Sequence, residues 1–213
     1  KIRQNAQNGD TAFWDKLQQT GYETVSTEVF AKMADTQTPQ GILTVLEQPV
    51  YDLTQLLEQP DPLFLMLENL QDPGNLGTMI RTGEGAGITG VIMNNQTVDI
   101  FNPKTIRATM GSIFRVPFVY VPDLALVLEQ MHAKGIYTYA AHLKGQEYYD
   151  SFSFREPTAF LIGNEGNGLS KEISDQAGQY LKIPMEGRVE SLNASIAAAL
   201  LMYEAHRQRS ARL

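Results

Sequence analysis

The sequence predicts an α/β protein: a mostly parallel sheet flanked by helices, preceded by the tail of a small α/β domain. Two observations carry this. From Pro62 onward, short apolar runs alternate with segments of helical periodicity. The runs are continuously apolar rather than alternating, as expected of strands covered on both faces. The composition agrees, since 43% hydrophobic and 19% charged residues among 213 suit a packed chain of one domain or two small ones.

Up to Pro49 the chain is polar and rich in Gln and Thr, with only short apolar patches. Residues 41–46 read as a strand and 24–33 as a strand-helix piece. This region, 1–48, is too short to bury a core of its own. Residues 49–61 read as a linker, with a helical turn at 53–58 between its prolines. The main domain, 62–213, has strand candidates at 63–67, 90–93, 118–121, 136–140, 159–162 and 180–183. Helix candidates between and after them are 76–86, 103–113, 124–134, 169–177 and 194–207. The chain begins at Lys1 with no signal stretch behind it, which reads as a cut or incomplete N-terminus.

Cysteine is absent, which excludes disulfides, thiolate catalysis and cysteine-held metals and makes a cytoplasmic protein the default. His132, His142 and His206 are far apart with no carboxylates at ligand spacing, so no metal is expected. No apolar run approaches the roughly 18 residues of a membrane span. A net charge of −7 and a pI near 5.0 argue against coating nucleic acid by charge alone, and leave room for a local basic patch.

In parallel sheets ligands sit at the carboxyl ends of strands, and three loops there carry more polar residues than packing needs. The first, after 63–67, contains Asp72-Pro-Gly-Asn75, with Asn75 as the expected helix N-cap. Leu76, Met79, Ile80 and Gly83 form the buried helix face. Arg81 lies beside it, and its plain structural reading is an i,i+3 pair with Glu84. The second is Gly163-Asn-Glu-Gly-Asn-Gly168. Leu169 stands where a phosphate loop needs lysine, and Glu165 would face phosphate oxygens, so a nucleoside triphosphate is disfavoured. The glycine order also departs from the dinucleotide fingerprint. What remains is a glycine-lined surface bearing one acid, suited to a cationic ligand. The third loop, after Ile183, carries Glu186, Arg188, Glu190, Ser191 and Asn193. Ser191 or Asn193 caps the alanine-rich helix that follows, at whose end Arg207, Arg209 and Arg212 complement the helix dipole.

These loops, in this order, resemble the three signature motifs of the SpoU (TrmH-type) branch of the SPOUT RNA methyltransferases. Asn75-x-Gly77-x-x-x-Arg81 is similar to the first, Leu161-Ile-Gly-Asn-Glu-Gly-Asn-Gly-Leu-Ser170 to the second, and Ile183-Pro-Met185 with Ser191-Leu-Asn193 to the third. The likeness runs from Pro62 to the C-terminus. Asp35-Thr-Gln-Thr-Pro-Gln-Gly-Ile-Leu43 is similar to the end of the ribosomal-protein-like substrate-binding domain of many members. The resemblance implies a C-terminal trefoil knot, S-adenosylmethionine as cofactor, a homodimer, and methylation of a ribose 2′-hydroxyl in ribosomal or transfer RNA, ribosomal RNA being favoured. It implies cofactor contacts around Leu161, Gly163, Ile183, Met185 and Leu192, and a catalytic group of Arg81, Asn75, Glu165, Ser191 and Asn193.

Methyl transfer needs the acceptor oxygen in line with the S–CH₃ bond, so positioning is a large part of the chemistry. A guanidinium with pKa above ~12 is a poor base. Arg81 is therefore expected to clamp a phosphate and stabilise a developing alkoxide, with proton removal indirect. Lys104, Arg107, Arg115 and Arg188 are the candidate RNA contacts near the carboxyl edge. The rival readings are an RNA-binding protein of the same fold without catalysis, and a doubly wound enzyme using another nucleotide cofactor.

Overall fold

Apolar strands at the centre of the larger unit decide its layering. A computed structural model describes residues 11–34, 36, 38–189 and 191–210, and the chain divides into two units, Lys1–Pro49 and Val50–Leu213. In the second unit, β1 (Leu63–Leu67) is buried at every position. Successive side chains of a strand point to opposite faces. Leu63, Leu65 and Leu67 accordingly join one apolar cluster, and Phe64 and Met66 the other.

The remaining strands are β2 (Gly90–Asn94), β3 (Phe118–Val121), β4 (Tyr137–Ala141), β5 (Glu147–Tyr148), β6 (Thr158–Ile162) and β7 (Gln179–Lys182). They form one seven-stranded sheet in the order β3-β2-β1-β6-β4-β7-β5, with every pairing parallel. The mostly parallel sheet read from the sequence is thus present, and its six strand candidates fall within a residue of those observed. The two-residue β5 adds an edge strand too short to leave a hydrophobic pattern.

The sequence numbering of the first unit holds two helices, α1 (Thr11–Thr20) and α2 (Thr27–Met33). Ser26 Oγ accepts the Val29 N–H and starts α2. Of the strand-helix piece expected at 24–33, only the helical half forms. The strand expected at 41–46 does not form: Val45 is 88% and Leu46 61% exposed. No strand exists among the described residues of this unit, and a lone strand has no ladder to complete its backbone hydrogen bonds.

In the second unit, the segment read as a linker carries α3 (Leu53–Leu57), capped by Asp52, whose Leu56 and Leu57 are buried with Phe64 and Met66. Helix α4 (Pro73–Ala86) starts three residues earlier than the apolar periodicity indicated. Asp72, not Asn75, is its N-cap: Asp72 Oδ1 accepts the Asn75 N–H at 2.8 Å, and Pro73 takes the first helical turn, where a missing N–H costs nothing. Asn75 is thereby released from capping. Helix α5 (Pro103–Thr109) is shorter than the 103–113 expected. Met110 and Gly111 both adopt left-handed φ, 50° and 90°, and the chain resumes as a 3₁₀ turn over Ser112–Phe114.

Helices α6 (Leu124–Ala133), α7 (Lys171–Gln176) and α8 (Ala194–Ser210) complete the layers. α4 and α8 pack on one face of the sheet, and α3, α6 and α7 on the other. Asn193 is the residue that caps α8, its Oδ1 accepting Ser195 N–H at 2.9 Å and Ser195 Oγ–H at 2.6 Å. Among the described residues Ser191 makes no such bond. At the far end, Gln208 and Arg209 fasten α8 to backbone carbonyls of Phe152, Phe154 and Glu156 and of Asp61 and Pro62. Arg212 lies outside the described residues.

Candidate active site

Strands β1 and β6 are neighbours at the centre of the sheet, with Leu67 opposite Ile162 at their carboxyl ends. The chain leaves this edge in two loops, 68–72 and 163–170. The crevice there is where an α/β sheet binds ligands.

The 163–170 loop folds back on itself. Asn164 and Gly168 exchange both backbone hydrogen bonds, at 3.1 and 2.8 Å. Gly168 supplies the left-handed φ of 69°. At Gly163 a Cβ would lie 2.1 Å from Gly168 C and Leu169 N, so only glycine permits the closure. Asn164 Oδ1 accepts the N–H groups of Gly166 and Asn167, which fills the turn.

The bent loop presents Glu165 to the first loop. Its carboxylate accepts the Gln71 N–H at 3.1 Å, the Asp72 N–H at 3.0 Å and the Asn75 side-chain amide at 3.0 Å. Asn75 in turn accepts the Asn193 side-chain amide at 3.0 Å through its Oδ1. One chain of polar contacts, Glu165 to Asn75 to Asn193, therefore ties together three loops separated by up to 118 positions in sequence. Burial alone would raise the Glu165 pKa. The Asn75 amide and the backbone N–H groups of Asp72 and Gln71 outweigh it and hold the carboxyl below its ordinary value.

Arg81 lies six positions beyond Asn75 on α4, about 9 Å of helix rise. It is exposed and makes no ion pair or hydrogen bond among the described residues. The pair with Glu84 that its spacing suggested is not made. Glu84 instead takes both Nε–H and Nη2–H of Arg115, and this fork, with a Ser112 bond, lowers its pKa to about 2. Arg81 is left as an uncommitted cation on the helix that carries Asn75.

The other expected cations divide. Lys104 pairs with Asp72 at 3.3 Å and Arg115 with Glu84, so both are engaged within the protein. Arg107 is exposed at the end of α5 and makes an interaction of its own, and Arg188 is exposed in the third loop with no ion pair among the described residues. Among the expected cofactor contacts, Leu161 lies inside β6 opposite Met66 and Ala140, with its side chain in the core. Ile183, Met185 and Leu192 are half-buried in the third loop, and Ser191 is exposed beside Asn193. Glu190 lies outside the described residues.

Several polar residues at this edge went unread in the sequence. Glu68, 7% exposed, accepts the Ser170 N–H at 2.7 Å and anchors the far foot of the 163–170 loop. Asn69, Asn94, Thr97 and Asn164 form a further network below Glu165. The signal for them was their position, immediately after or at the end of apolar strands, where a parallel sheet gathers its polar groups. Among the described residues, no group of three or more potential ligands could hold a metal ion, and no helix is long and apolar enough to cross a membrane.

The chain as a whole is similar to known proteins. A 23S rRNA (guanosine(2553)-2′-O)-methyltransferase of Bacillus subtilis is 35% identical over 179 residues, covering 84% of this chain and 70% of that protein. An AdoMet-bound rRNA methyltransferase from Sinorhizobium meliloti superposes with a TM-score of 0.80 at 34% identity, covering 85% of this chain and 70% of that one. The SpoU methyltransferase AviRb from Streptomyces viridochromogenes superposes with a TM-score of 0.74 at 30% identity, covering 88% and 80%. The SpoU rRNA methylase family pattern matches residues 62–203, which include all three loops and the Glu165–Asn75–Asn193 junction. The chain belongs to the SpoU rRNA methylase family.

Proposed function

We propose that this protein is an S-adenosylmethionine-dependent RNA methyltransferase that modifies a ribose 2′-hydroxyl, with 23S ribosomal RNA as the favoured substrate and transfer RNA the alternative. The observation that carries the reading is the junction of three loops through Glu165, Asn75 and Asn193, with Arg81 uncommitted on the helix that carries Asn75. Ribosomal RNA is favoured by the B. subtilis and S. meliloti relatives, whose names specify rRNA.

The donor set at this edge fits the cofactor. The 163–170 loop carries a carboxylate and no cation to meet phosphate, and the third loop offers the half-buried Ile183, Met185 and Leu192 as an apolar wall. S-adenosylmethionine supplies an electrophilic methyl on a sulfonium. Gly163 with Ile183, Met185 and Leu192 would hold the adenosine, while Leu161 backs the wall from the core. Asn75 and Asn193 fix the loops at their crossing. Ser191, exposed two residues before Asn193, is assigned a contact with a ligand. Arg81 grips a backbone phosphate next to the acceptor ribose and stabilises the oxyanion as the 2′-hydroxyl loses its proton. Proton removal is assigned to another group or to water, because a guanidinium is a poor base. Arg188 and Arg107 extend the phosphate footprint.

The same reading covers the assembly. The resemblance supports a C-terminal trefoil knot and a homodimer. Exposed Ile196, Leu200 and Tyr203 of α8, beside Tyr149, line a concave apolar surface suited to a second copy. Residues 1–48 are read as the end of a substrate-binding domain, and the compartment as cytoplasmic. The direct test incubates the chain with methyl-labelled S-adenosylmethionine and ribosomal or transfer RNA. Label passing to ribosomal RNA, and its loss by at least about a hundredfold in Arg81→Ala, is the expected result. Cofactor and RNA binding without transfer would instead identify a catalytically silent RNA-binding protein.

A further inference from the structure

Beneath Glu165 lies a polar layer that the proposed chemistry does not touch. Asn94, at the end of β2, is 9% exposed. Its Oδ1 accepts the Asn69 N–H at 2.9 Å and the Thr97 hydroxyl at 2.8 Å, and its Nδ2 donates to Asn69 Oδ1 at 2.8 Å. Asn69 is held by this reciprocal pairing in the left-handed region, φ 54°, where a non-glycine residue needs compensation. In that conformation its carbonyl accepts the Asn164 side-chain amide at 2.9 Å and the Gln71 side-chain amide at 3.0 Å. Asn164 props the crest of the loop that carries Glu165, and Gln71 offers its backbone N–H to the same carboxylate.

Resting on the reading of the site given above, we propose that Asn94 is a positioning residue for the reaction, acting through Asn69 and then Asn164 and Gln71 to set where Glu165 meets Asn75. Capping and packing do not account for it. A buried amide at the end of a central strand is costly unless its bonds are made. Here all of them are spent on one left-handed residue and on Thr97, and that residue's carbonyl supports both loops at once. The pairing needs a donor and an acceptor on the same side chain. Asn94→Ala removes both, and Asn94→Asp leaves an oxygen facing Asn69 Oδ1.

The test compares wild type, Asn94→Ala, Glu165→Gln and their double variant. Amide exchange is measured at Gln71, Asp72, Gly166 and Asn167, and turnover and KM for RNA alongside. Asn94→Ala should accelerate exchange at these four amides at least about tenfold, as a local opening of the loop pair does. It should lower kcat by about tenfold to a hundredfold, the range of a small misplacement, with KM for RNA within about threefold. In the double variant the loss in kcat should not exceed that of Glu165→Gln alone, because both act on one group. Multiplied losses, or unchanged exchange with kcat within about twofold of wild type, would overturn the proposal. Should Asn94→Ala not fold, Asn164→Ala on the partly exposed loop takes its place with the same expected exchange and kcat. A wild type that transfers no methyl would defeat the functional reading alone, since the exchange comparison still decides whether Asn94 positions the loop.

Discussion

At the scale of single residues, the site depends on where charge is spent and where it is kept. Glu84 could have neutralised Arg81, and binds Arg115 instead. Arg115→Ala should therefore leave RNA affinity within about threefold of wild type, while Arg188→Ala weakens it on all sequences and lowers the salt slope by about one, as loss of a phosphate contact does. Titrations of RNA at several salt concentrations distinguish the two. Glu165 titrates below the ordinary carboxylate value because its bonds to Asn75, Asp72 and Gln71 prefer the anion. A carboxyl whose folded pKa is depressed adds stability that is full above the unfolded value and lost as pH falls through the folded one. Thermal melting of Glu165→Gln should consequently lie below wild type near neutrality and approach it at acid pH. A constant difference across that window would show that the carboxylate is not what clamps the loops.

At the scale of elements, what was legible and what was not follow from the range of the interactions. The central strands and their order of appearance were readable because β1, β2, β3, β4 and β6 are largely buried on both faces, and continuous apolar runs record that. The start of α4 was misplaced because Asp72 and Asn75 are equally good caps by type. Asp72 takes the role only because Pro73 follows it, and Asn75 is then drawn to Glu165 ninety positions away. The left-handed break after α5 at Met110 left no trace in a pattern that reads apolar periodicity alone. The three loops could be singled out from their excess polarity, yet the bonds among them join residues remote in sequence. Glu68 and Asn94 were missed for the same reason. Within the second loop the decisive element is the closure at Gly163. Gly163→Ala would set a Cβ against Gly168 and Leu169, and the loop must open to accept it. Cofactor affinity, measured by calorimetry, should fall by more than about tenfold, with overall melting changed by only a few degrees. An unaltered affinity would mean the closed turn is not part of the cofactor site.

At the scale of the whole molecule, the parallel sheet brings the three loops to one edge, and α8 is fixed at both ends: Asn193 at its start and Gln208 and Arg209 near its finish. Its exposed Ile196, Leu200 and Tyr203 are the surface assigned to a second copy. Leu200→Glu should shift sedimentation from dimer to monomer, and a dimer that persists would place the interface elsewhere. The central claim is that the joined loops aim a ribose oxygen, rather than a base, at the methyl donor. Digesting RNA methylated by the protein to nucleosides and locating the methyl group by mass spectrometry tests it most directly. A 2′-O-methylated nucleoside is the predicted product, and a methyl group on a base would contradict the account.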